Sequence, residues 1–223
     1  MAIDTSNASE SQAGGSASHR PTPTLSFKSL ERARATVEDF VRSYFPLHGL
    51  PVDASLNFMD VLLFVEASLY ECDERVEAEV EFGETSAMDS TSCSEQGHLG
   101  MLSAVASKDV VFRELISFLE GRGLLDDAVA AELASGLSYW RLEKKICGGR
   151  GDHVASVEEA KGALRQKSFD YRVLNLVLYQ MREVPYDAKM LSFWRSAELL
   201  VEIEDDLKDY HKDVLRKSFN IFR

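Results

Sequence analysis

The stretch 201-VEIEDDLKDYHKDV-214 decides how this chain is read. On a helix, Ile203, Leu207, Tyr210 and Val214 fall on one apolar stripe. Glu202, Asp206, Asp209 and Asp213 repeat the same spacing one residue earlier, so they form a second stripe about 100° away. The carboxylates therefore sit at the margin of the core-facing stripe and not opposite it. Like charges four residues apart cost an isolated helix a few tenths of a kcal/mol per pair. Beside a core, such a row needs a cation. Two readings follow. In one, the segment is a solvated, salt-bridged face, with Glu204 and Asp213 paired to Lys208 and Lys217 four residues on. In the other, the carboxylates hold Mg²⁺, which takes one or two of them and keeps its remaining positions for water and phosphate oxygens.

The surrounding pattern is helical almost throughout. The last helix is expected over about 187–219, after Pro185 closes "SVEEAKGALRQKSFDYRVLNLVLYQMREV". That segment opens with a capping box, Ser156 and Glu159, and Gly162 or Ser168 divides it. Upstream, a helix is expected over about 125–146, ended by the glycines of "CGGRG", and another begins at an N-cap Ser107. "DASLNFMDVLLFVEASLYECDERVEAEVEF", residues 53–82, is apolar all round in its middle, as a helix central to a bundle is. "SLERARATVEDFVRSYF" stops at Pro46. No segment alternates with period two for long. The expected fold is all-α, a bundle of six to seven long helices.

The second long helix carries its own acidic face. Glu66, Tyr70, Asp73 and Glu77 follow one another by steps of four, three and four, with Glu74 beside Asp73. Glu66 comes directly after a wholly apolar run, where a solvated residue is out of place. Two acidic patches at the edges of two buried helices can face one another across a bundle cavity, where bundles build metal sites.

Residues 1–26 are rich in Ser, Ala and Gly and are expected to be a disordered tail before a single helical domain, 27–223. The Ser content also suits a plastid or mitochondrial transit peptide, but Asp4, Glu10 and a lone Arg20 suit one poorly. Residues 83–97 are expected to be a flexible acidic loop. The net charge of −12 disfavours nucleic acid and anionic membranes as partners, and no apolar run is long enough to span a bilayer. Cys72, Cys93 and Cys147 are widely spaced and suit a reducing, cytoplasmic setting. His48, His98, His153 and His211 are each expected on or near the surface.

Asp205-Asp206-Leu207-Lys208-Asp209 matches DDxxD, on a long helix late in an all-α chain with an earlier acidic patch. In this the chain resembles the class I isoprenoid synthases, the terpene cyclases and trans-prenyltransferases. The resemblance implies an isoprenoid-synthase-like fold and Mg²⁺ that binds a prenyl diphosphate. It implies metal ligands at Asp205, Asp206 and Asp209, and a weaker first motif at Asp73, Glu74 and Glu66. Loss of diphosphate would create an allylic cation, sheltered in an apolar cavity by aromatic rings. Candidate rings are Phe64, Tyr70, Phe169, Tyr171, Tyr179, Phe193 and Trp194. The alternative is a non-catalytic helical module that binds a protein partner through an acidic face or the 83–97 loop.

Overall fold

"RVLNLVLY" shows why a bundle forms. All eight residues from Arg172 to Tyr179 are buried, so this short helix needs neighbours on every side. The computed structural model describes residues 25–82, 97–148 and 155–223, with the side chains of 79–82 excepted. All regular elements among them are helical: α1 (Phe27–Tyr44), a 3₁₀ turn (Val52–Asn57), α2 (Met59–Phe82), α3 (Gly97–Ala106), α4 (Val110–Gly121), α5 (Asp127–Cys147), α6 (Val157–Gln166), α7 (Phe169–Met181) and α8 (Ala188–Arg216). The protein is all-α, with α2, α5 and α7 at its centre. α2 buries Val61, Leu62, Val65, Leu69, Cys72 and Val76 and packs against α1, α4, α5 and α7.

Local chemistry sets the helix ends. Ser26 caps α1 and Asp126 caps α5. The Ser156–Glu159 capping box opens α6 as expected. The divide between α6 and α7 falls at Lys167–Ser168, while Gly162 lies inside α6. Two expectations fail locally. Gly97 opens α3 instead of closing a loop, and Asp109, not Ser107, caps the next helix. α3 is apolar enough to bury Met101, Leu102, Val105 and Ala106 but too weakly amphipathic to announce itself. Residues 1–24 and 83–96, with Cys93, lie outside the described residues. His48 is buried and hydrogen-bonds Asn175 Oδ1 at 2.9 Å, contrary to a surface placement. Burial lowers its pKa.

The aromatic rings fill the interior by packing on one another. Phe64 meets Phe118, Phe169 meets Trp140, and Tyr171 meets Phe40 and Tyr44. Tyr179 packs among His48, Tyr186 and Trp194, and Arg32 lies over Tyr70. Phe193 points outward. These rings therefore do not line a common hollow. No helix among the described residues is long and apolar enough to cross a membrane.

α5 and α7 approach closely at Gly136. Gly136 of α5 faces the ring of Phe169, and a methyl group on Gly136 would overlap that ring. Gly136→Ala is expected to lower unfolding stability by about 1–3 kcal/mol in urea denaturation. Phe169→Leu in the same chain should recover part of that loss.

Candidate functional site

α8 is seated inside out. Only Trp194, Glu198 and Asp206 of its residues are buried, and Glu202 is half-buried. These four recur every fourth residue, so one stripe of a tryptophan and three carboxylates faces the bundle. Of the stripe expected to face the core, Ile203 alone packs against it. Leu207 is 64% exposed and Val214 is 39% exposed; Ile203 and Tyr210 are half-buried. The reason lies in α7 and the turn before it, which offer cations where an apolar α8 face would need an apolar floor.

Arg172, in the buried run of α7, donates to Glu132 of α5 at 2.9 Å and to Glu198 of α8 at 3.3 Å. Its third donor goes to the Gln166 carbonyl at 3.2 Å. Arg195 also pairs with Glu132. Glu198 accepts a second bond from the Tyr44 hydroxyl, and burial raises its pKa against the pull of Arg172. Lys167 contacts Glu202 at 2.9 Å and Asp206 at 2.5 Å. Burial alone would lower the Lys167 pKa, but the two carboxylates outweigh it and hold the ammonium charged. Ser168 donates to Glu202. Asp206 also accepts from the Ile221 amide at 2.8 Å, and Asn220 bonds the Asp206 carbonyl, so the chain after α8 closes over this carboxylate.

Between α5, α6, α7 and α8 lies a cavity of about 460 Å³, walled by Glu132, Gln166, Ser168, Arg172, Arg195 and Glu202 among others. A neighbouring hollow of about 140 Å³ reaches Asn175 and Trp194. The larger one has the size of a ligand pocket. Its walls mix these charged and polar groups with the apolar side chains of Ala131, Leu164 and Leu199.

The expected metal ligands are spread over separate settings. Asp206 is turned inward onto Lys167. Asp205 and Asp209 are on the outer side, where Asp205 approaches Lys208 at 3.7 Å and Asp209 pairs with Lys212 at 2.7 Å. Lys212 lowers the Asp209 pKa. On α2, Asp73 accepts from Trp140 Nε1 at 2.9 Å, and Glu74 pairs with Lys28 at 3.1 Å and Arg32 at 3.3 Å. Glu66 is wholly buried. Among the described residues no group of three or more His, Cys, Asp or Glu side chains converges on a point where an ion could be held. Asp206 and Asp209 share a stripe by their spacing, yet the seating of α8 turns Asp206 onto Lys167 and leaves Asp209 to Lys212.

The two acidic helices do address one interior. Burial and then Glu143, Asp73 and Glu202 raise the pKa of Tyr139, so an α2 carboxylate and an α8 carboxylate act on the same hydroxyl. Burial, with Glu77 next, lifts Asp73 to about 7, and burial with Asp73 lifts Glu143 to about 7. Sequence reasoning placed Glu202 and Asp206 beside the core but missed Glu132, Glu143, Lys167, Asp170 and Glu198. Arg172 and Arg195 were two of several cations in the sequence, with nothing in the spacing to say which turn inward.

Comparison with protein-family models, with curated proteins and with solved structures gives no match.

Lys167 joins two carboxylates of α8 to the α6–α7 turn. Lys167→Ala leaves Asp206 buried with a single amide partner and is expected to lower stability by about 2–4 kcal/mol in chemical denaturation. Lys167→Arg should retain most of it.

Proposed function

We propose that this chain is a non-catalytic helical bundle, isoprenoid-synthase-like in plan, whose α8 presents an apolar seam to a helical protein partner. The observation that carries this reading is the outer face of α8. Phe193, Leu200, Leu207 and Val214 recur every seventh residue, and the first three are 60%, 69% and 64% exposed. Half-buried Tyr210 stands beside them, three residues after Leu207 and four before Val214, while Ile203 packs against the core. Removing one such side chain from water is worth roughly 1–3 kcal/mol, so a partner helix laid along the seam gains several such contributions.

The isoprenoid-synthase plan draws support from the all-α bundle and from the inward turn of acids on both α2 and α8. Turnover of a prenyl diphosphate draws none from the split DDxxD carboxylates or from the charged cavity walls. The geometry favours docking over chemistry.

Quantitative affinity capture with the wild-type chain and with Leu200→Asp/Leu207→Asp, at matched thermal stability, tests the seam. Partners should be lost from the variant, and sedimentation velocity will show whether a second copy is among them. Identical capture and identical sedimentation would refute docking through α8. In a parallel melt, millimolar Mg²⁺ with pyrophosphate should leave the melting temperature unchanged. A rise that disappears in Asp206→Asn, or pyrophosphate release from farnesyl diphosphate, would favour the metal-dependent reading instead.

A further inference from the structure

The two hollows beside α8 adjoin, since Glu132, Arg172, Arg195 and Glu198 wall both. Their hydrogen-bonding capacity is lopsided. Every carboxylate oxygen in the walls is already engaged: Glu132 by Arg172 and Arg195, Glu198 by Arg172 and Tyr44, Glu202 by Lys167 and Ser168. Donors remain. Arg165 is exposed and has no ion-pair partner among the described residues. Arg195 has five N–H donors and contacts Glu132 through one nitrogen only.

Trp194 is the buried member of this set. It walls the smaller hollow, is 3% exposed, and its Nε1 has no hydrogen-bond partner. An indole N–H can only donate, so it calls for an acceptor. The acceptors around it are committed. His48, whose ring centroid lies 5.0 Å from that of Trp194, contacts Asn175 Oδ1 through Nε2 and Arg182 through Nδ1. In the larger hollow the Gln166 amide has a buried oxygen without a partner, and an amide can turn either end to a ligand.

We propose that the two hollows form one binding site for a small aromatic carboxylic acid that carries a second oxygen. The carboxylate lies in the larger hollow, on Arg165 and Arg195. The ring enters the smaller one, where the second oxygen accepts from Trp194 Nε1. The free groups fix the sign of the ligand: an amine would find each acidic oxygen taken, whereas an anion finds guanidinium donors whose fork matches a carboxylate. Volume fixes its body. The smaller hollow, about 140 Å³, is close to the ~150 Å³ that holds a benzene ring in a protein core, and Ala128, Leu176 and Leu191 give it apolar sides. The larger, about 460 Å³, takes the head group and its linker. Phe193, Leu200 and Leu207 wall neither hollow, so this site and the outer seam of α8 stand or fall separately.

The probe is 4-hydroxyphenylacetate, titrated into the full chain and followed by ¹H–¹⁵N NMR. The chain has two tryptophans and so two indole N–H signals. Trp140 Nε1 already bonds Asp73, and its signal should stay in place. The Trp194 signal should move downfield and saturate as its N–H gains an acceptor. Phenylacetate, without the second oxygen, should bind more weakly and lack the downfield move. The matching alcohol, 4-hydroxyphenylethanol, should bind about tenfold more weakly for want of the carboxylate. Arg165→Gln changes an exposed, unpaired side chain; it should weaken the acid by about tenfold and leave the melting temperature unchanged. A Trp194 signal that ignores the acid at millimolar concentration would overturn the proposal. Equal movement with sulfate or with the alcohol would do the same, as would undiminished affinity in Arg165→Gln. So would a Trp194 N–H that exchanges with solvent equally fast with and without the acid, because water alone would then fill the smaller hollow.

Discussion

The ionic seating of α8 is the constraint on which the rest of the arrangement depends. Arg172 and Lys167 meet Glu198, Glu202 and Asp206 along one face, beside the apolar contacts of Trp194, Leu191, Leu199 and Ile203. Buried ion pairs add little net stability over an apolar interface, because both charges must leave water. They do specify orientation, since any rotation that frees one member strands its partner. Here they force the apolar residues of α8 outward. The exposed seam, the polar cavity and the separated DDxxD carboxylates all follow from that rotation.

Much of the architecture was legible in the chain. Helical spacing over residues 29–45 and 59–82, the capping box at Ser156 and the break at Ser168 all reappear in the fold, while the start of the second stretch is a separate 3₁₀ turn. α3 did not announce itself, because "GHLGMLSAVA" is apolar on too many sides to show a face. The margin position of the α8 acids was also legible, but not which stripe would turn inward. Spacing places two stripes side by side; only the opposing surface chooses between them. That surface is Arg172 and Lys167, brought there by α7 and by the α6–α7 turn. Glu66 gave a fair signal through its place after an apolar run, whereas Asp170 looked like an ordinary first-turn acid.

The acids of α2 and α8 are connected through α7 and α5 without forming one site. Asp170 lies between Glu66 on one side and Glu202 and Glu198 on the other, and Arg172 two residues on neutralises part of the sum. Charge in this interior is dispersed into ion pairs between Lys167, Arg172 and the carboxylates of α5 and α8. A bundle built in this way pairs its buried charges and leaves Phe193, Leu200 and Leu207 of α8 exposed.

The most direct measurement of the central claim is hydroxyl-radical footprinting of the native chain with residue-level mass spectrometry. Phe193 and Trp194 are neighbours in sequence and fall on opposite sides of the helix surface in exposure, 60% against 3%. The account predicts strong oxidation at Phe193, Leu200 and Leu207, and protection of Trp194 despite its greater intrinsic reactivity. Protection of Leu207 together with rapid oxidation of Trp194 would mean that α8 is rotated the other way, and the ionic seating would be wrong.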